Sequence, residues 1–188
     1  MRVIAGTARG RRLQAPPGRA TRPITDRAKE GIFNMLGTVV DLDGATVVDL
    51  FAGSGSFGIE ALSRGAAAVT FVEAARPAVE VLRRNLETLG FADRAVVETG
   101  PVERALDRLP EVDLAFCDPP YALDAWPVVL GGLRAGFVVG HAETPIVLLQ
   151  GWEEVKRRTY GRANIVIARR LDPTSSPEGI ARSTDAGG

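Results

Sequence analysis

The residues best equipped for chemistry are Asp118-Pro119-Pro120-Tyr121, which follow the apolar run Leu114-Ala115-Phe116-Cys117. Two consecutive prolines fix φ and remove two backbone donors. That leaves carbonyl oxygens as acceptors beside a carboxylate. Such a set matches a flat group that presents two N–H donors, as an exocyclic amine on a nucleic-acid base does. Asp118 would accept one of these protons and the Pro119 carbonyl the other, and Tyr121 offers a stacking face worth roughly 1–3 kcal/mol per base. The lone pair of such an amine is delocalised into its ring, so it is a poor nucleophile. Two acceptors holding its protons favour a pyramidal nitrogen that can attack a methyl group in line, with Asp118 placed to take the departing proton. A base inside a helix could not enter this pocket, so the target must be single-stranded or flipped.

A second motif points to the methyl donor. Val47-Val48-Asp49-Leu50-Phe51-Ala52-Gly53-Ser54-Gly55-Ser56-Phe57-Gly58 reads as strand, glycine turn and helix, with Glu73 twenty residues after Gly53. In an open α/β sheet ligands bind at the carboxyl ends of strands, where strand order reverses. Gly53 and Gly55 let the backbone approach a ligand closely, and Glu73 can accept both hydroxyl protons of a ribose. The spacing also fits the dinucleotide fingerprint. Asp49, however, lies inside the strand, where a carboxylate would repel a pyrophosphate. It suits a ligand carrying a sulfonium and an ammonium group, which is S-adenosylmethionine.

These residues need a scaffold, and the flanking pattern predicts one. Residues 2–6 and 11–15 read as a basic hairpin, and Thr25 or Asp26 caps a helix to about Leu36 with Ala28, Ile32, Met35 and Val39 on its apolar side. Strands are expected at 46–51, 69–73, 95–99 and 112–118, and helices at 56–64, 76–89 and 102–109. A further helix, a strand at 145–150, and two strands near 153–160 and 163–169 follow. Nearly all-apolar strands alternating with helices imply a parallel sheet covered on both faces. Little more than Gly161-Arg162 separates the last two strands, so that pair must be antiparallel. The fold class is therefore α/β, with residues 1–40 as an N-terminal basic extension, 41–171 as the catalytic domain and 172–188 as a disordered tail.

Composition narrows the function classes. A chain of 188 residues supports one core. It has no run of 18 apolar residues to cross a membrane and no apolar leader, so a cytoplasmic protein is expected. The single cysteine, Cys117, reads as a small buried strand residue. The single histidine, His141, reads as a loop residue near a strand, and one histidine makes a histidine metal site or a Ser-His triad unattractive. Net charge is zero, yet residues 1–30 hold eight Arg or Lys against two acids. A basic arm on a neutral body suits an anionic partner such as a phosphate backbone.

With these motifs stand Ile4-Ala5-Gly6, Arg9-Gly10-Arg11-Arg12-Leu13, Thr21-Arg22-Pro23, Thr25-Asp26-Arg27-Ala28-Lys29-Glu30-Gly31-Ile32-Phe33-Asn34 and Glu60-Ala61-Leu62-Ser63-Arg64-Gly65-Ala66. Together they resemble the RsmD type of bacterial 16S ribosomal RNA guanine-N2 methyltransferases, over residues 2 to 170. The resemblance implies a Rossmann-like class I methyltransferase fold, with a seven-stranded mixed sheet whose last strand is antiparallel. It implies methylation of guanine N2 in 16S rRNA or a small-subunit assembly particle, by a monomer without metal. Catalysis would fall to Asp118, Pro119 and Tyr121. The cofactor pocket would comprise Asp49, Phe51, Gly53, Ser54, Gly55, Glu73, Ala74, Gly100, Val102 and Asp118. RNA would be gripped by Arg9, Arg11, Arg12, Arg22 and Arg27, and the helix carrying Arg27 would lie over the cofactor. Many methyltransferases carry an acid for the adenine amine after the third strand. This chain reads Thr99-Gly100-Pro101-Val102 there, so backbone would serve instead. Gln150 is expected to end the fifth strand, where relatives often have Glu. The rival readings are DNA adenine-N6 methylation and a non-catalytic RNA-binding assembly factor.

Overall fold

A computed structural model describes residues 1–16, 25–120 and 123–171. Tyr121, Arg22 and the expected tail at 172–188 lie outside the described residues. The elements are α1 (Asp26–Leu36), β1 (Thr46–Leu50), α2 (Ser56–Ser63), β2 (Ala68–Glu73), α3 (Arg76–Leu89), β3 (Ala95–Thr99), α4 (Val102–Ala105), β4 (Val112–Cys117), α5 (Trp126–Gly132), β5 (Ala135–Ala142), β6 (Trp152–Tyr160) and β7 (Ala163–Arg170). The strands form one sheet in the order β3-β2-β1-β4-β5-β7-β6. Strands β1 to β5 are parallel, and β7 runs antiparallel to both of its neighbours. This is the Rossmann-like architecture that the resemblance implies. Strand order reverses between β1 and β4, so the carboxyl ends of those two strands flank the natural binding crevice.

Side-chain alternation divides the core into two layers. Leu114 and Phe116 of β4 pack with Ile32 and Phe33 of α1, Phe57 and Ile59 of α2, and Leu82 of α3. Ala115 and Cys117 face the other way, toward Leu106 and toward Trp126 and Val129 of α5. Helix α1 starts where the Thr25 hydroxyl accepts the Ala28 N–H at 3.2 Å. Helix α3 ends at Gly90, whose φ of 72° supplies the left-handed turn. An aromatic trio ties α1 to the crevice, with ring centroids 5.4 Å apart for Phe33 and Phe116 and 5.2 Å apart for Phe57 and Phe116.

The N-terminal residues form a loose hairpin, with one antiparallel bridge between Arg2 and Arg12 in place of two regular strands. It is docked on the body by side chains that satisfy its backbone. The buried Glu60 carboxylate accepts the Ile4 N–H at 2.7 Å and the Ala5 N–H at 2.9 Å. Ser63 Oγ accepts the Ala8 N–H at 2.9 Å and donates to the Ala5 carbonyl at 2.6 Å. Asn85 exchanges two bonds with the Gln14 backbone, at 2.9 and 3.0 Å. Beneath this segment Lys29 is fully buried, 3.4 Å from Glu60, and donates to the Arg2 carbonyl at 2.7 Å. Burial pulls the Lys29 ammonium below its ordinary range, opposed by the Glu60 carboxylate.

Three sequence expectations are corrected. The fifth strand is Ala135–Ala142, and 145–150 is a connecting loop in which Ile146 is buried while Val147 is 78% exposed. Gly136 and Gly140 weaken the strand signal of 135–142, but both sit where the chain packs tightly. A Cβ on Gly136 would stand 3.1 Å from the Asp113 carbonyl oxygen, and one on Gly140 would stand 2.6 Å from Trp126. Gln150 therefore ends no strand and lies in the turn before β6. The helix expected over 102–109 closes after Ala105 and continues as turns.

Candidate active site

The carboxyl ends of β1, β2, β4 and β5 bring Asp49, Glu73, Asp118 and His141 to one edge of the sheet. Asp49 is 1% exposed, and its carboxylate accepts the Gly58 N–H from the first turns of α2 at 2.9 Å. Burial pushes the Asp49 carboxyl well above the ordinary carboxylate range. The Gly58 N–H opposes this, and the charges of Asp118 and Glu73 add to it. Asp118 and Glu73 thus both lie within electrostatic reach of Asp49, so the crevice gathers acidic groups that disfavour one another's ionisation. A cationic ligand relieves that repulsion, whereas a pyrophosphate would aggravate it.

The glycine turn from Phe51 to Gly55 closes the crevice between β1 and α2. Phe51 has a φ of 60° and is the only non-glycine among the described residues in the left-handed region. Such strain clusters at functional turns. Gly53 has a φ of 55°, and a Cβ there would meet nothing within 4 Å, so open space lies over this backbone. Gly55 has a φ of 82°, and a Cβ there would stand 2.4 Å from a Leu82 methyl, which holds the turn against α3. Ser54 is buried, and its carbonyl accepts from Asn85 at 3.0 Å. Ser56 Oγ is buried without a hydrogen-bond partner among the described residues.

Glu73 reaches across this turn. Its two oxygens accept the Gly53 N–H at 2.8 Å and the Ala75 N–H at 2.7 Å. Each oxygen keeps lone-pair capacity for a ligand hydroxyl. Ala74 is exposed beside it. Gly100 donates its N–H to the Glu73 carbonyl at 3.0 Å, and a Cβ on Gly100 would meet nothing within 4 Å. Val102 is buried at the start of α4. Asp49, Gly53, Glu73, Gly100 and Asp118 thus lie together at the carboxyl ends of the strands, with open space over Gly53 and Gly100 and acceptor capacity at Glu73. These features fit a cationic nucleoside.

Asp118 is the first residue beyond β4, with Pro119 buried and Pro120 exposed after it. Its Oδ1 lies 2.7 Å from Nδ1 of His141. The sequence reading missed His141, taking it for a loop residue. It is a buried residue of β5, and the parallel register that pairs Cys117 with Gly140 sets residues 118 and 141 side by side. The signal was available in principle, since the strand after Asp-Pro-Pro-Tyr must end beside it once its bounds are known. Cys117 is buried as expected, and burial raises its thiol well above the ordinary range, with the charges of Asp118 and Asp49 adding to the effect.

The basic residues fall in two places. Arg9 and Arg12 are exposed on the hairpin and Arg27 is exposed on the first turn of α1. Arg11 is also exposed, but its guanidinium donates to the Thr88 carbonyl at 2.9 Å near the end of α3. No group of residues suited to a metal ion occurs among the described residues.

Similarity to known proteins agrees with this arrangement. The family described as conserved hypothetical protein 95 matches residues 1–169. The chain is 36% identical over 184 residues to YlbH of Bacillus subtilis, covering 90% of this chain and 99% of that protein. It is 32% identical over 176 residues to the ribosomal RNA small subunit methyltransferase D of Haemophilus influenzae, covering 86% of this chain and 89% of that protein. Among solved structures, yhhF from Escherichia coli superposes with a TM-score of 0.78 at 30% identity, covering 90% of this chain and 97% of that one.

Proposed function

Because the chain belongs to the RsmD-type family of ribosomal RNA methyltransferases, we propose that it methylates the exocyclic N2 amine of a guanine in 16S rRNA. S-adenosylmethionine-dependent methylation of rRNA is the activity of this family, and S-adenosylmethionine is the cofactor. The observation that supports the finer reading is that Asp118, the residue just after β4, lies within electrostatic reach of Asp49, which also feels Glu73 across the glycine turn.

When bound, S-adenosylmethionine supplies a methyl group on a positively charged sulfur. Glu73 would hold the ribose hydroxyls, and Asp49 would face the cationic end directly or through water. The Phe51–Gly55 turn and Ala74 would contact the cofactor, and backbone at Gly100–Val102 would receive the adenine. Asp118 and the Pro119 carbonyl accept hydrogen bonds from the two N–H groups of the guanine amine, Asp118 takes the one proton released on methylation, directly or through water, and Tyr121 stacks on the base. Rate enhancement then comes from positioning and from fixed charge, without a covalent enzyme intermediate. Arg9, Arg11, Arg12, Arg22 and Arg27 hold RNA phosphates around the flipped base. The reaction belongs in the cytoplasm, on 16S rRNA or a small-subunit assembly particle, with the protein as a monomer.

Two measurements on the full chain test this. Calorimetry with S-adenosylmethionine should give saturable binding in both the wild type and Asp118→Ala. Transfer of labelled methyl groups to unmodified 16S rRNA or small-subunit particles should occur only with the wild type. Labelled N2-methylguanine in the digested RNA is the expected product. A product on adenine, transfer to DNA alone, or full activity of Asp118→Ala would overturn the assignment.

A further inference from the structure

We propose that His141 is a positioning residue for methyl transfer, donating Nδ1–H to Oδ1 of Asp118 and so fixing the carboxylate that holds the target amine. The inference rests on the role given to Asp118 above.

The need for such a donor follows from the sequence around the acid. An aspartate at the start of a turn ordinarily finds its hydrogen-bond donors in the backbone N–H groups one to three residues ahead. Here the next two residues are Pro119 and Pro120, which have none. The same prolines that leave carbonyl acceptors for the amine remove the two nearest backbone donors from Asp118. Asp49 lies within electrostatic reach of Asp118, and when ionised it repels the Asp118 carboxylate. The adjacent strand β5 supplies a donor through His141, 2.7 Å from Oδ1.

The geometry divides the work between the two carboxylate oxygens. A carboxylate only accepts hydrogen bonds, so the ring nitrogen facing it carries the hydrogen. His141 is 5% exposed, which holds the ring in place, while the Asp118 side chain is 34% exposed and open to the crevice. With Oδ1 engaged by the ring, Oδ2 is the oxygen directed at the substrate amine. Loss of the donor frees rotation of the carboxylate and lowers the fraction of complexes in which the amine is aligned.

The test compares His141→Leu, His141→Asn and His141→Gln with wild type and Asp118→Ala in steady-state methyl transfer to 16S rRNA. Asparagine places an amide nitrogen where Nδ1 stands, and glutamine places it nearer the position of Nε2. A hydrogen bond to a charged group of this kind corresponds to a drop in kcat of about 10- to 100-fold for His141→Leu. The KM and Kd for S-adenosylmethionine should stay within about twofold of wild type. Asparagine should restore most of the lost kcat, and glutamine should not. The proposal is overturned if kcat is unaffected, if asparagine does no better than glutamine, or if the loss lies wholly in cofactor binding. Should His141→Leu fail to fold, the contrast between asparagine and glutamine decides the matter alone. Full activity of Asp118→Ala would instead overturn the role of Asp118, and this proposal with it.

Discussion

Glu60→Gln should destabilise the protein far more than a change of one atom suggests. In the native structure one carboxylate oxygen accepts the Ile4 N–H and faces Lys29, and the other accepts the Ala5 N–H and the Arg64 Nε–H at 2.9 Å. A glutamine has one acceptor oxygen, so its amide nitrogen must face one of these donor pairs. Whichever way it turns, a backbone N–H loses its partner, at about 1–3 kcal/mol. The Lys29 ammonium, fully buried, also loses its counter-charge, and breaking a buried pair in this way costs about 3–5 kcal/mol. The two effects overlap, and about 3–5 kcal/mol is expected in all. For a chain of this size that corresponds to a fall in Tm of roughly 6–20 °C. Lys29→Met should behave quite differently. It removes the desolvated charge and leaves Glu60 with Arg64 and both backbone donors, losing mainly the bond to the Arg2 carbonyl, so a change within about 1 kcal/mol is expected. The double variant should recover about 2 kcal/mol or more relative to Glu60→Gln. Urea unfolding of the four proteins measures all three values. A Glu60→Gln cost below about 1 kcal/mol, or strict additivity in the double variant, would refute the reasoning.

Three further outcomes follow from the crevice and the hairpin. Asp49 has a raised carboxyl pKa in the fold, so its stabilising contribution is present below the ordinary carboxylate range and is lost as pH rises through the raised value. Asp49→Asn should therefore gain Tm over wild type toward high pH, with the gap closing in acid. Binding of the cationic cofactor favours ionised Asp49, so wild type should release protons on binding and bind more tightly as pH rises. Calorimetry in buffers of different ionisation enthalpy reads this directly, and zero proton release would contradict it. Reversing the charge at Arg9 or Arg12 should weaken RNA binding and shallow the salt dependence by about one unit in slope for each phosphate no longer neutralised. A filter-binding titration over a salt series checks this, and an unchanged slope would exclude the residue from the phosphate grip.

Much of the site was legible because its chemistry is local. Asp49, Gly53, Gly55 and Glu73 lie in two strands and one turn, and their spacing alone carries them to one edge of the sheet. The Thr25 cap and the β6–β7 hairpin were equally readable from a capping residue and a short connection. What escaped depends on contacts between distant segments. The glycines of β5 look like strand breakers until Trp126 and Asp113 are seen against them, and misplacing β5 hid His141. Lys29 lies three, four and seven residues before Ile32, Phe33 and Leu36, on the buried stripe of α1. A charge at such a position signals a buried partner, but nothing local names Glu60 as that partner.

The clasp around Glu60 and Ser63 also orders events in time. Residues 4, 5, 7 and 8 find their partners 55 to 58 positions later in the chain, Gln14 finds Asn85 71 positions later, and Arg11 finds Thr88 77 positions later. During synthesis this segment emerges before its partners, yet it has nowhere to dock until α2 and α3 have formed. Closing loops of this length is entropically unfavourable before the surrounding core repays it. The basic hairpin is therefore seated late, on a scaffold whose cofactor turn is already built. A nascent chain can thus present its ordered cationic face only after the glycine turn and its helix are in place.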